Sequence, residues 1–433
     1  MTTDGSTTRG PRRLVVAALV AGLVVTACGS TGPTASLSGS PSTSGAAPSP
    51  SPSEDLSIYT QIEGQVVAIR GLTPKTPVAR KVVDQAGMRD IVTTSFHDQN
   101  PESLVKSTES LYKALLLLPA TSSLDTLWTD LLSSQVIGLY DDITKRMYVL
   151  SSTGTIGPAE EITYAHEYTH ALQDQAFGLE SIIGKATDQG DRALARTMLI
   201  EGDATLSMSL WAQANLSAAE IAAVGQATDP ASQAVLDRTP AILKEPLLDA
   251  YTDGLTLNLR AYAGGGYAAV DKLFANLPES TEQAIHADKL ASREAPVVVT
   301  LPADLATKLG AGWSVAMQDT LGELQLQILL RDAGGAVATI ATAAAAGWGG
   351  DRVALVEGPS GAEGVVLDTA WDTTKDAEEF ALALQGLQAK LQAAGRAAAI
   401  ERPTDLRVVL LTGDSPTIVN SLEHAMGFAG VGA

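Results

Sequence analysis

Residues 158–174 read PAEEITYAHEYTHALQD, and the rest of the 433-residue chain is read outward from them. The pattern is helical. Pro158 suits a first turn, where its missing N–H is no loss, and Glu160 and Glu161 fall near the positive end of the helix dipole. Ile162, Ala165, Thr169 and Leu172 supply a mostly apolar side for packing. On such a helix His166 and His170, four residues apart, stand one above the other, so both imidazoles can reach one metal ion. Glu167 adjoins the first of them and can serve a water at that metal as general base. Two imidazoles and a base within five residues point to a zinc centre, and two of the chain's five histidines are spent on it.

Two histidines do not complete a catalytic zinc site, which takes a third protein ligand and keeps one position open. Residues 188–212, DQGDRALARTMLIEGDATLSMSLWA, carry a second long helical pattern with Glu201 in its middle. Glu201 is the expected third ligand, with Asp203 as the main alternative and Asp191 a more distant one. Gly202 beside it costs a helix roughly 1 kcal/mol relative to alanine, which calls for a close packing neighbour there. Asp174, one turn beyond His170, is a candidate to hold an imidazole tautomer from behind the ligands, or else to bridge to another helix.

The amino terminus reads as an export signal. Arg9, Arg12 and Arg13 precede the apolar run 14–25, and Thr26, Ala27 and Cys28 close it. The run is too short for a membrane span. Val25-Thr26-Ala27-Cys28 resembles a bacterial lipobox, which implies cleavage before Cys28 and a lipid on its thiol. The expected organisation is a lipoprotein signal peptide over 1–27, a Ser/Pro/Gly-rich tether over 28–54, and a folded body beyond. Cys28 is the only cysteine, so the body has neither a disulfide nor a thiolate ligand. A formal charge of −20 argues against nucleic acid as a partner and against a basic surface for anionic lipid. Membrane attachment then falls to the lipid.

Along the body, GQVVAIRGL (64–72) suggests a strand, and residues 101–119 and 123–133 suggest helices. Val136–Tyr140 and Arg146–Leu150 flank a polar turn and form a β-hairpin directly before the motif helix. A strand so placed can receive an extended substrate backbone along its edge. Residues 218–277 are mostly helical, 293–302 extended and 319–334 helical. DRVALVEG (351–358) and EGVVLDTAW (363–371) form a hairpin, followed by a helix over 376–394, a strand over 406–414 and a last helix over 415–426. The expected fold class is α+β, with a mainly helical core over 55–334 and a small C-terminal α+β unit over 335–433.

HEYTHALQDQ (166–175) followed by EGDA (201–204) resembles the Glu-zincin class of metallopeptidases. That resemblance implies a zincin-like core, with a glutamate on the second helix as third zinc ligand. More specifically, the stretch is similar to uncharacterised bacterial, largely actinobacterial, lipoproteins and membrane-associated proteins assigned to the metallopeptidases. GLYDDITKRMYVL (138–150), PESTEQAIHADKL (278–290), GWGGDRVAL (347–355) and AWDTTKDAEEF (370–380) share in it, and it covers about residues 130–380. It implies a site role for His286, in STEQ-x-x-H, as donor to the oxyanion; the other reading is a buried structural histidine. The implied function is a Zn²⁺-dependent peptidase at the outer face of the bacterial cell membrane, acting on peptides or proteins. The alternative is a catalytically inactive zinc lipoprotein serving as a binding or scaffold module, its metal closed by four protein ligands.

Overall fold

A computed structural model describes residues 56–150, 156–183, 189–226 and 229–428. The expected export signal, Cys28 and the expected tether lie outside the described residues. The first segment corrects an expectation. GQVVAIR (64–70) belongs to a helix, Leu56–Arg70. Tyr59, Ile62, Val66 and Arg70 are its buried positions, a spacing of three, four and four that the nine-residue window hides.

The expected hairpin is present as part of a three-stranded sheet. The strands are β1 (Ala79–Val83), β2 (Gly138–Asp141) and β3 (Arg146–Leu150), in the order β1-β3-β2. β2 runs antiparallel to β3 with Leu139 opposite Tyr148, while β1 pairs parallel to β3. The Asp141 carboxylate accepts from the amides of Ile143 and Thr144, so one side chain closes the turn.

The motif helix spans Pro158–Phe177. Glu160 accepts from the Gly157 amide at 3.0 Å, and left-handed Gly178 ends the helix. Residues 162–174 are buried without interruption, so this helix is encased rather than amphipathic. Against it lie the first helix, β2, β3 and a second long helix, Gly190–Asn215. That second helix is crossed by Ala241–Gly265 in the most extensive helix pairing among the described residues.

Glycines make this crossing possible. A Cβ on Gly202 would lie 1.9 Å from the Gly254 carbonyl oxygen, and one on Gly254 would lie 2.3 Å from the Met198 carbonyl oxygen. Asn258, fully buried, donates to the carbonyls of Leu199 and Gly254 and ties the two backbones together. The cost of glycine inside a helix is thus offset by close approach, as its position beside Glu201 required.

The C-terminal sheet is antiparallel throughout. Its strands are β4 (Ser314–Asp319), β5 (Trp348–Glu357), β6 (Glu363–Trp371), β7 (Ala397–Thr404) and β8 (Arg407–Gly413), ordered β4-β5-β6-β8-β7. Successive residues face opposite sides, and both sides are covered. Leu355, Leu367 and Leu410 pack with Phe380, Leu384 and Leu387 of helix Thr374–Ala393, in the same apolar core as the helical body. Val356, Val366 and Val409 pack instead with Val419 and Leu422 of helix Pro416–Met426. The hairpin, the 406–414 strand and both helices are where the pattern put them. β4 and β7 were not foreseen: β4 lies ahead of residue 335, and β7 is alanine-rich with Pro403 on a sheet edge. The architecture is α+β.

Candidate metal centre

The motif helix and the second long helix face each other where His166, His170 and Glu201 converge. His166 Nε2 and His170 Nε2 are 3.0 Å apart, and Glu201 Oε2 lies 3.2 Å from the first and 3.3 Å from the second. All three side chains are buried. Bonds of about 2.0–2.2 Å to a tetrahedral zinc set ligand atoms about 3.3–3.6 Å apart, so the triangle has nearly the right size. Two imidazoles and one carboxylate are also the donor set zinc favours. Among the described residues no fourth His, Cys, Asp or Glu joins the group.

The electrostatics agree with the geometry. Burial alone would raise the Glu201 carboxyl, but His170 and His166 beside it outweigh burial and hold it below the ordinary carboxylate range. Burial would lower His170, yet Glu201 raises it above the imidazole range, while burial keeps His166 down. Glu201 and His170 thus favour each other's charged forms, and the lone pairs that favour a proton would also favour a metal cation.

Glu167 stands beside this group without belonging to it. Its Oε2 accepts from the Tyr140 amide of β2 at 2.6 Å, while Oε1 is buried without a hydrogen-bond partner. Burial pushes its carboxyl up to about 7. Gly138 allows this strand to lie against the helix: a Cβ there would come within 2.6 Å of Thr163 Cγ2 and 3.1 Å of Glu167 Cγ. The expected substrate edge is thus partly used, since β2 gives the Tyr140 amide to Glu167.

Asp174 does not brace an imidazole. Its carboxylate accepts from the Tyr140 hydroxyl at 2.8 Å, Lys145 Nζ at 2.6 Å and the Leu179 amide. It locks the end of the motif helix to the β2–β3 hairpin. The brace comes one residue earlier, where Gln173 Oε1 lies 2.9 Å from His170 Nδ1. Asp203, the alternative ligand, accepts from Gln173 Nε2 at 2.8 Å and from Arg70 Nε at 2.9 Å. Asp191 accepts from the hydroxyl and amide of Thr281 instead. His286 Nε2 pairs with Glu323 Oε1 at 2.8 Å, and no hydrogen bond among the described residues joins it to the metal group. Arg70 and Gln173 were missed by sequence reasoning. Arg70 gives no local signal because its partner is 133 residues away, whereas Gln173, three residues after His170, was within reach of helical spacing.

These residues define an α+β protein with a buried His–His–Glu group that could hold a metal ion. The family model described as "Domain of unknown function (DUF8575)" matches residues 312–427, the C-terminal sheet and its helices. No curated protein matches the chain. One solved structure, described as "a putative hydrolase with a novel fold" from Chloroflexus aurantiacus, is similar at 19% identity over 56% of this chain and 92% of that one. Its TM-score is 0.32, a likeness from which neither the fold nor the activity of this chain follows.

Proposed function

We propose that the chain is a zinc-dependent peptidase carried on the outer face of the bacterial cell membrane by a lipid on Cys28. The observation that carries the reading is the convergence of His166, His170 and Glu201 beside the unpartnered Oε1 of Glu167. Three protein ligands leave a position open, which favours a catalytic over a structural metal. A zinc ion held there supplies a Lewis acid for the scissile carbonyl and lowers the pKa of water at the site. The remaining chemistry falls to the chain. Glu167, oriented by the Tyr140 amide on Oε2, takes a proton from the attacking water on Oε1. It returns that proton to the leaving amine as the C–N bond breaks. The oxyanion also needs a donor; the pairing of His286 with Glu323 lends His286 no support in that role.

Full-length protein extracted in detergent should cleave members of a broad peptide library. A zinc chelator should stop the cleavage and added zinc restore it; indifference to the chelator would remove the metal from the mechanism. Elemental analysis should give about one zinc per chain in the wild type, and Glu201→Ala should lose tight binding. Retention of tight zinc by Glu201→Ala would refute its assignment as a ligand.

Among the described residues no helix is long and apolar enough to cross a membrane. In this reading the attachment is carried by Arg9–Cys28 and the tether behind them. Intact-mass analysis of membrane-extracted protein should show a chain beginning at Cys28 with a diacylglycerol-sized increment. A mature chain that starts elsewhere and carries no lipid mass would refute the anchor.

A further inference from the structure

Behind the ligand triangle runs a chain of buried polar contacts that reaches the first helix. His170 Nδ1 meets Gln173 Oε1 at 2.9 Å. The Gln173 amide nitrogen meets two acceptors, the Ile200 carbonyl at 3.0 Å and Asp203 Oδ2 at 2.8 Å. Asp203 in turn receives Arg70 Nε, and Arg70 Nη2 reaches Asp271 at 2.7 Å. Gln173, Asp203 and Arg70 are all essentially excluded from solvent. A buried carboxylate and a buried guanidinium persist only when paired, and here each is paired with the other.

This network has one consistent direction. Two acceptors, Ile200 O and Asp203 Oδ2, face one end of the Gln173 amide, so that end must be the NH₂. The opposite end is then the carbonyl oxygen, and the His170 nitrogen facing it must be a donor. Turning the amide over would set its oxygen against both acceptors and leave its NH₂ against the imidazole. His166 has no such support, because its Nδ1 is buried without a hydrogen-bond partner. The two imidazoles are therefore held unequally.

We infer that Gln173, locked by Asp203 and Arg70, is the positioning residue that keeps a proton on His170 Nδ1 and turns Nε2 toward Glu201 and His166. Its bearing on function rests on the metal-centre reading. The brace itself is a property of the chain and can be measured without metal. Arg70, at the end of the first helix, neutralises Asp203 so that a carboxylate can stand behind the site without becoming a ligand. The order Arg70–Asp203–Gln173–His170 also couples the first helix to the imidazole, since displacing Arg70 leaves Asp203 as an uncompensated buried charge.

The test uses the full-length protein with ¹⁵N-labelled histidine. In metal-free wild type, His170 should show an Nδ1 proton protected from solvent exchange, whatever the charge at Nε2. Gln173→Met keeps the bulk but removes the acceptor. It should lose that protection and weaken zinc binding about 10–100-fold, measured by competition with a chromophoric chelator. A merely structural glutamine would leave the Nδ1 proton of Gln173→Met as protected as in wild type. Absence of a protected Nδ1 proton in wild type would overturn the inference, as would Gln173→Met that keeps both the signal and wild-type zinc affinity. If Gln173→Met fails to fold, the wild-type spectrum decides. Wild type that shows the protected proton yet takes up no zinc would strike down the metal centre and leave the brace standing.

Discussion

On the proposed peptidase reading, Glu167→Gln should cut peptide cleavage by roughly 10²–10⁴-fold while zinc content stays at the wild-type level. The substitution keeps the shape of the side chain and an oxygen to accept from the Tyr140 amide, now 2.6 Å away. What it removes is the ability of the second terminal atom to accept a proton. Oε1 has no hydrogen-bond partner to lose, so folding should be almost unaffected. Glu167 is not one of the three converging candidate ligands, and this separates its loss from loss of metal. Initial rates on a library peptide, read beside elemental analysis and a melting curve, decide the matter. Chelator-sensitive cleavage that survives at the wild-type rate would transfer the base role elsewhere. A fall in zinc parallel to the fall in rate would instead make Glu167 a ligand.

The second large effect concerns stability. Gly202→Ala should cost about 3 kcal/mol or more, because the new methyl would lie 1.9 Å from a backbone carbonyl oxygen and 2.5 Å from Asn258 Nδ2. Backbone cannot step aside as a flexible side-chain tip can, so the helices Gly190–Asn215 and Ala241–Gly265 must separate. The melting temperature should drop by roughly 4 °C or more, and metal affinity should fall with it, since Glu201 is the adjoining residue. Gly264→Ala, on the same crossing helix with nothing within 4 Å of the added methyl, is the control. It should be neutral or stabilise by up to roughly 1 kcal/mol. Equal melting temperatures for Gly202→Ala and wild type would refute the tight crossing.

What could be read in advance follows from the range of each cause. The motif helix with its first-turn proline and glutamates, the β2–β3 hairpin and the apolar runs of β5, β6 and β8 depend on neighbours within a few residues. Their periodicity and turn chemistry therefore show in the string itself. The first helix failed because the chosen window held Val66, Val67 and Ile69, while its register is set by Tyr59 and Ile62 outside it. β7 failed because alanine has little strand preference of its own and pairs there by leaning on β8. β1 is a five-residue strand recruited by parallel pairing across more than sixty residues, which no local pattern announces.

The same division runs through the site. Sequence alone determined that His166 and His170 share a helix face with Glu167 between them, since that follows from 3.6 residues per turn. It also put Glu201 forward as third ligand and required a close neighbour at Gly202. Only the tertiary structure decided which carboxylate faces the imidazoles, because Glu201 and Asp203 lie on one helix and differ in what another element offers them. Arg70 claims Asp203 and leaves Glu201 to the histidines. Lys145 and Tyr140 claim Asp174 and leave the bracing of His170 to Gln173. A buried charge goes where a partner exists, and here those partners come from helices and turns that only folding brings together.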